Sequence, residues 1–337
     1  MSVLKRVLGI CLVMLMVLSM AACGGSGTAK KESEGTSKPA DNKTKKLSII
    51  AGSSGAAWYI VGGALANVIT KYVDGVSATV EPGGGAENLI RVSKGEVPLG
   101  MTMSDNLYYG KMGKREYKEV FDNIRVVISG HDNPMKLMTR ADSKIMKLED
   151  LRGKVVGMGH PGSSQALASN AMLISCGLVP GKDFKALWLN PAEIAEALMD
   201  KTIDAGFNFT ADPSGALTDL TTSVAIRFIE MDIEKILAEH PYWYKTTVPK
   251  TLYKGMDKDY VTVGANVILV ARADADPNLI YQVTKNLLEH PKDIAETHRA
   301  GAEWITANVS RGVTVDFHDG AKKYFAEKGI KATFKQP

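Results

Sequence analysis

Two short runs of small and hydroxyl-bearing residues hold most of the chemistry this sequence offers. Gly52-Ser53-Ser54-Gly55 follows the apolar strand pattern Leu47-Ser48-Ile49-Ile50-Ala51 and precedes one helical stripe of Ile60, Ala64, Leu65, Val68, Ile69 and Tyr72. About a hundred residues later the unit returns: Lys154-Val155-Val156-Gly157-Met158 runs into Gly159 to Ser164, then into a helix from Gln165 carrying Leu167, Ala171 and Ile174. At such a strand-to-helix corner, free backbone N–H groups, the positive end of a helix dipole and serine hydroxyls converge where an anion such as a carboxylate can sit. The expectation is that the two corners face each other and grip one small acid from both sides.

The elements that must position these corners read as α/β. Ala78 to Glu81 is a strand that Pro82-Gly83-Gly84-Gly85 turns into a helix with Leu89, Ile90 and Val92, closed by Lys94-Gly95. Leu99 to Met103 is a buried strand, with Ser104-Asp105 at the cap position of a helix over Asn106 to Tyr109. Arg125 to Ser129 and Lys136 to Thr139 read as two strands joined by a turn at His131-Asp132-Asn133-Pro134. Asn190-Pro191-Ala192-Glu193 is a helix start with cap, proline and capping-box Glu. Ile203 to Phe207 is a strand ending at Asn208, Val224 to Glu230 another, and Thr262 to Arg272 a long apolar one. Helices are expected over Pro277 to His290, Pro291 to Trp304 and Ala321 to Lys328. Several strands thus end in small or polar residues, and in open α/β sheets ligands collect at the carboxyl ends of strands.

The chain opens with Lys5 and Arg6 before an apolar run, Val7 to Leu18, too short to span a bilayer comfortably. Met20-Ala21-Ala22-Cys23 then reads as a bacterial lipobox, with Met where Leu is usual, so residues 1–22 are expected to be a lipoprotein signal peptide and Cys23 the lipidated residue, the alternative being an ordinary signal peptide with an incidental cysteine. Residues 23–46 are rich in Gly, Ser, Thr, Lys and Glu and read as a flexible tether. The formal charge of +4 falls to +2 once Lys5 and Arg6 leave, and basic residues are interspersed with acidic ones, which excludes a nucleic-acid footprint. Of three cysteines only Cys176 then remains as a thiol, so no intramolecular disulfide is expected, and Cys176 reads as a small core residue.

Sharper motifs fail. Gly157-Met158-Gly159-His160-Pro161-Gly162 fits a dinucleotide fingerprint, but the next strand ends in Asn190 where a ribose-binding acid belongs. Asp274-Ala275-Asp276-Pro277-Asn278 imitates a calcium loop but has Leu279 and Lys285 in place of the Gly and the bidentate Glu, and reads as an Asp cap before Pro at the first helical position. The six histidines show no metal-binding spacing, and there is no G-x-S-x-G elbow, so no cofactor, metal or catalytic residue is expected.

The order of motifs resembles the TAXI-type substrate-binding proteins of tripartite ATP-independent periplasmic (TRAP) transporters. The markers run over Ser48 to Gly329: the Gly52 to Tyr59 opening, Gly83-Gly84-Gly85-Ala86-Glu87-Asn88-Leu89, Ser104-Asp105, Asp150-Leu151-Arg152-Gly153-Lys154-Val155, Gly162-Ser163-Ser164, Ile203-Asp204-Ala205, and His318-Asp319-Gly320-Ala321-Lys322-Lys323-Tyr324. The resemblance implies a type II periplasmic-binding-protein fold, two α/β lobes with a ligand cleft and crossing hinge strands. Lobe I would be residues 47–135 plus 261–337 and lobe II residues 136–260. It implies an extracytoplasmic receptor, anchored to the membrane through Cys23 and expected as a monomer, that hands a small organic anion to integral-membrane TRAP subunits. An amino acid or dicarboxylate of glutamate type is the expected ligand.

Carried over by residue, the resemblance makes Ser53, Ser54, Trp58, Tyr59, Gly84, Asn88, Ser104, Asp105, Ser163, Ser164, Gln165 and Asn208 the ligand-binding set. The sequence departs from the family at Ala56-Ala57, Ala86 and Ser163-Ser164-Gln165. Each residue also has a structural role open to it. Trp58 and Tyr59 are alternatively core aromatics, Asp105 a helix cap, Asn88 a bond to its own loop, the serines turn residues, and Asn208 a polar strand end. Against the receptor stands a second class, a secreted enzyme on the same bilobal fold, which turnover of a bound compound would reveal.

Overall fold

The computed structural model describes residues 44–54, 56–115 and 117–335. The expected signal peptide, Cys23 and most of the expected tether lie outside the described residues, as does Gly55 of the first corner.

In chain order, the first half of the fold comprises β1 (Lys45–Ile50), α1 (Ala57–Tyr72), β2 (Val76–Glu81), α2 (Gly85–Ser93), β3 (Leu99–Met103) and α3 (Ser104–Met112). Then follow β4 (Ile124–Arg140), β5 (Val155–Gly157), α4 (Ser164–Ser175), β6 (Lys185–Leu187), α5 (Pro191–Met199), β7 (Ala205–Phe209), α6 (Gly215–Ser223), β8 (Ile226–Phe228) and α7 (Ile233–Glu239). The chain ends with β9 (Tyr244–Val248), β10 (Tyr260–Arg272), α8 (Pro277–Glu289), α9 (Pro291–Ala295) and α10 (Asp319–Glu327). The strands form one ten-stranded sheet of order β2-β1-β3-β10-β4-β7-β5-β6, with β8 on β4 and β9 on β10.

Two strands run through both halves. The start of β4 pairs antiparallel with β10, from Ile124 opposite Arg272 to Pro134 opposite Gly264. Its end, Met135 to Thr139, pairs with β7. Likewise β10 pairs with β9 over Tyr260–Gly264 and with β3 over Val267–Ala271. Separate apolar clusters fill the two sides, one built on Ile49, Leu65, Leu99 and Val270, the other on Met135, Leu137, Val156 and Phe207. Trp58 and Tyr109 lean on both.

Local signals explain most of the elements. Asn190 Oδ1 accepts from the Glu193 N–H at 3.0 Å while Glu193 Oε2 accepts from the Asn190 N–H at 2.7 Å, which closes the capping box that starts α5. Asp276 caps α8 ahead of Pro277 in the same spirit, taking the Asn278 N–H at 2.9 Å. On α1, Val61, Leu65, Val68 and Ile69 are buried, but Ile60 is 39% exposed and stands off the expected stripe.

Three expectations are corrected. His131-Asp132-Asn133-Pro134 is not a turn but the middle of the seventeen-residue strand β4. The polar residues find partners without a turn: Tyr244 Oη and Thr246 Oγ1 donate to the Asp132 carboxylate at 2.7 and 2.6 Å, and Trp304 Nε1 donates to His131 Nδ1 at 3.0 Å. Gly264 makes this possible, since a Cβ there would lie 2.3 Å from Asp132 Oδ1. Second, the expected helix from Pro291 to Trp304 stops at Ala295, because the chain folds back until Gly301 touches the Ile294 carbonyl, where a Cβ would lie 2.2 Å from the oxygen. Third, Ser104 and Asp105 do not cap α3; both belong to its first turn, and Met103 is its N-cap.

Candidate functional site

Four helices bring their first turns to one place. A Cβ on Gly85, the first residue of α2, would lie 2.6 Å from Asn106 Nδ2 in the first turn of α3 and 2.9 Å from Ser164 Oγ, the first residue of α4. The same Cβ would lie 3.7 Å from Cη2 of Trp58 in the first turn of α1. Asn106 Nδ2 donates to Ser164 Oγ at 2.9 Å, so helices from the two sides of the sheet touch directly at this point. Each helix start leaves backbone N–H groups without intrahelical partners and carries the positive end of a dipole, so the junction favours negative charge. The Oδ1 of Asn106 is buried at the junction and, among the described residues, has no hydrogen-bond partner, and the same holds for the buried Oγ of Ser104 at the start of α3.

Of the expected ligand-binding residues, the junction gathers Trp58 and Ser164. Ser53 and Ser54 are exposed on their loop, as is Gly84. Tyr59 is half-buried beside Trp58 on α1. Asn88 is fully buried and wholly occupied by backbone. Its Nδ2 reaches the carbonyls of Ala51 and Met101 at 2.6 and 2.7 Å, and its Oδ1 accepts from the Gly84 N–H at 3.0 Å. Ser163 is the N-cap of α4, accepting from the Ala166 N–H at 3.1 Å. Gln165 bridges β7, donating to the Phe207 carbonyl at 3.0 Å and accepting from the Phe209 N–H at 2.9 Å. Asn208 donates to Ser214 Oγ at 3.1 Å and accepts from Thr210 Oγ1 at 3.0 Å. Asp105 is buried with Arg115 Nη1 3.9 Å from its Oδ2. Asn88, Ser163, Gln165 and Asn208 are therefore engaged with the scaffold around them, while Asn106 and Gly85, absent from the expected set, meet Ser164.

A second set of contacts joins α3 to the end of α7. The hydroxyls of Tyr109 and Tyr242 stand 2.9 Å apart, and Tyr242 Oη is 2.7 Å from His240 Nδ1. Arg115 lies over the Tyr109 ring, its Cζ 3.6 Å from the centroid, and donates to Tyr242 Oη at 3.4 Å. Burial pushes the Tyr242 phenol well above its ordinary range, so it keeps its proton. Burial, with help from the Arg115 charge, holds His240 below the usual imidazole value.

The crossing strands hold buried charge as well. Lys136 is fully buried, its Nζ 2.5 Å from Asp212 Oδ1 and 3.1 Å from the Thr210 carbonyl, and burial pulls its pKa down against those partners. Burial likewise raises Asp132 despite the donors Thr246 and Tyr244. His131, fully buried, is lowered to about 3 by burial first, then by His298 and Arg311. Among the described residues no group of His, Cys, Asp and Glu is placed to hold a metal ion.

Two α/β halves that share β4 and β10, with helix starts facing each other between them, define a type II periplasmic-binding-protein fold. The chain belongs to the NMT1-like family, whose model matches residues 49–329. Among solved structures it is similar to XAC2383 from Xanthomonas citri bound to ATP, at 12% identity and a TM-score of 0.52, covering 77% of this chain and 89% of that one. It is also similar to a TctC solute binding protein from Polaromonas, at 15% identity and a TM-score of 0.50, covering 77% and 87%. A protein of Bordetella bronchiseptica RB50 matches at 16% identity and a TM-score of 0.51, covering 86% and 99%. Similarity at this level speaks for the shared fold.

Proposed function

We propose that this chain is an extracytoplasmic solute receptor, with residues 47–135 plus 261–337 and residues 136–260 as lobes that close on a small organic anion. The carrying observation is the junction at Gly85, where the first turns of α1, α2, α3 and α4 converge and Asn106 meets Ser164. Helix starts supply N–H donors for a carboxylate, and the unpartnered Asn106 Oδ1 is an acceptor suited to an ammonium or hydroxyl on the same ligand. Those two features together favour an amino acid or a glutamate-like dicarboxylate. The likeness to a TctC solute binding protein supports the receptor class.

The finer reading follows the sequence. The chain is a TAXI-type receptor, lipidated at Cys23, that delivers its ligand to TRAP membrane subunits. Native mass spectrometry of the purified protein tests it by seeking a co-purified acid, and calorimetry with L-glutamate and 2-oxoglutarate measures affinity. The double variant Asn106→Ala, Ser164→Ala is expected to lose about tenfold in affinity or more, from two hydrogen bonds of roughly 1 kcal/mol each. Unchanged affinity would move the site elsewhere, and conversion of the bound acid to a product would make the protein an enzyme.

A further inference from the structure

The hydroxyls and imidazole that join α3 to α7 have one proton arrangement that satisfies every member. Ser175 Oγ, on α4, donates to Glu239 Oε2 at 2.6 Å. Its oxygen is then the acceptor for His240 Nε2 at 2.9 Å, which puts the imidazole proton on Nε2 and leaves Nδ1 to accept. Tyr242 therefore donates to Nδ1 at 2.7 Å, and Tyr109 donates to Tyr242 at 2.9 Å. Neutral His240 thus anchors an oriented line of hydrogen bonds from α4 and α7 to α3.

We infer that this line is a pH-sensitive latch: neutral His240 holds the two lobes closed, and protonated His240 lets them open. The inference rests on the receptor reading above, since it regulates closure over that same site. A proton on Nδ1 turns the acceptor into a donor, so Tyr242 must turn its hydroxyl toward Tyr109 Oη, and the Tyr109 proton displaced by that reversal has no acceptor left within the line. The new cation also faces Arg115, which already donates to Tyr242 from 3.4 Å.

The charged and titratable surroundings of His240 can be named from every side. Glu239 on α7 favours the cation, while Arg115, on the loop after α3, opposes it. Asp105 and Tyr109 on α3 stand behind Arg115 and Tyr242, and α4 contributes Ser175 and no charged residue. The Trp243 ring closes the remaining side, its centroid 4.6 Å from that of the imidazole. Burial outweighs Glu239, so the latched imidazole sits below its ordinary value. Opening carries Arg115 away from the ring and removes its opposition to the cation, so the open state binds more protons. Closure is then most favoured where the imidazole is neutral and weakens as pH falls through the range in which the open-state ring takes up its proton.

The test needs no ligand. Nitroxide labels at Glu87→Cys on α2 and Glu196→Cys on α5, both exposed positions, report the lobe separation by pulsed electron resonance, in a chain with Cys11, Cys23 and Cys176 replaced by serine. The expected result is a short distance at about pH 8 and a longer one that gains population from about pH 6.5 to 5, with His240→Gln staying short throughout. A distance that ignores pH in the parent, or that shifts equally in His240→Gln, overturns the latch. Should His240→Gln fail to fold, Tyr242→Phe serves instead, and it must populate the long distance even at about pH 8. Absence of any bound acid in the calorimetry would remove the receptor reading while leaving this distance measurement to stand or fall by itself.

Discussion

Asn88 illustrates how a polar residue in a glycine-rich loop divides between ligand and scaffold. Its amide ties the ends of β1 and β3 together, through Ala51 and Met101, and holds the Gly84 N–H at the start of α2. Asn88→Ala strands these buried groups, each at about 1–3 kcal/mol, so the variant is expected to lose roughly 2–4 kcal/mol of stability. Urea denaturation measures that loss, and an unfolding midpoint equal to the parent's would refute the scaffold role. At the residue level the sequence revealed the neighbourhood but not the partners. Ser53 and Ser164 look alike at their corners, yet one faces solvent and the other meets Asn106. That difference is made by loops far apart in the chain, which no local pattern encodes.

Among the elements, β4 departs most from its sequence pattern. A run of His, Asp, Asn and Pro reads as a turn because each residue is at home in turns. Here cross-strand partners override that preference: Gly264 opens space for Asp132, while Tyr244, Thr246 and Trp304 supply donors. The capping box of α5 and the Asp-Pro start of α8 were legible because their physics is local. The interior of β4 also makes the fold sensitive to acid. His131 Nδ1 already accepts from Trp304, so a second proton has no acceptor there and the imidazole is held neutral down to about pH 3. The unfolded chain takes that proton near pH 6.5, so stability from His131 is fully present above this value and is lost as pH falls toward 3, at up to about 1.4 kcal/mol per unit. Raised Asp132 and Glu303 act with the opposite sign. The clean measurement is therefore the difference between parent and His131→Asn, whose urea stability should fall less steeply between about pH 6.5 and 4.5. Parallel pH profiles would show that His131 carries none of the dependence.

For the molecule as a whole, one contact between the proposed lobes is governed by an absent side chain. Gly85 has no room for a methyl group between Asn106 and Ser164, with contacts of 2.6 and 2.9 Å awaiting one. Gly85→Ala is expected to keep the fold while holding the lobes apart, since the strain is relieved by opening and not by repacking a core. An overpacking cost of about 1–3 kcal/mol on the closed state corresponds to a loss of roughly tenfold or more in ligand affinity. Calorimetry alongside thermal melting checks this, and equal affinity with a depressed melting temperature would contradict it.

Because β4 and β10 each belong to both sides of the sheet, the molecule has no seam along which a single cut yields two self-sufficient pieces. Severing the chain between Ser129 and Pro134, for instance, leaves each fragment with a stump of β4 whose ladder partner sits on β10, a strand that only the downstream piece carries. The two gene fragments flanking such a cut should therefore be recovered insoluble when made alone and complement one another when made together.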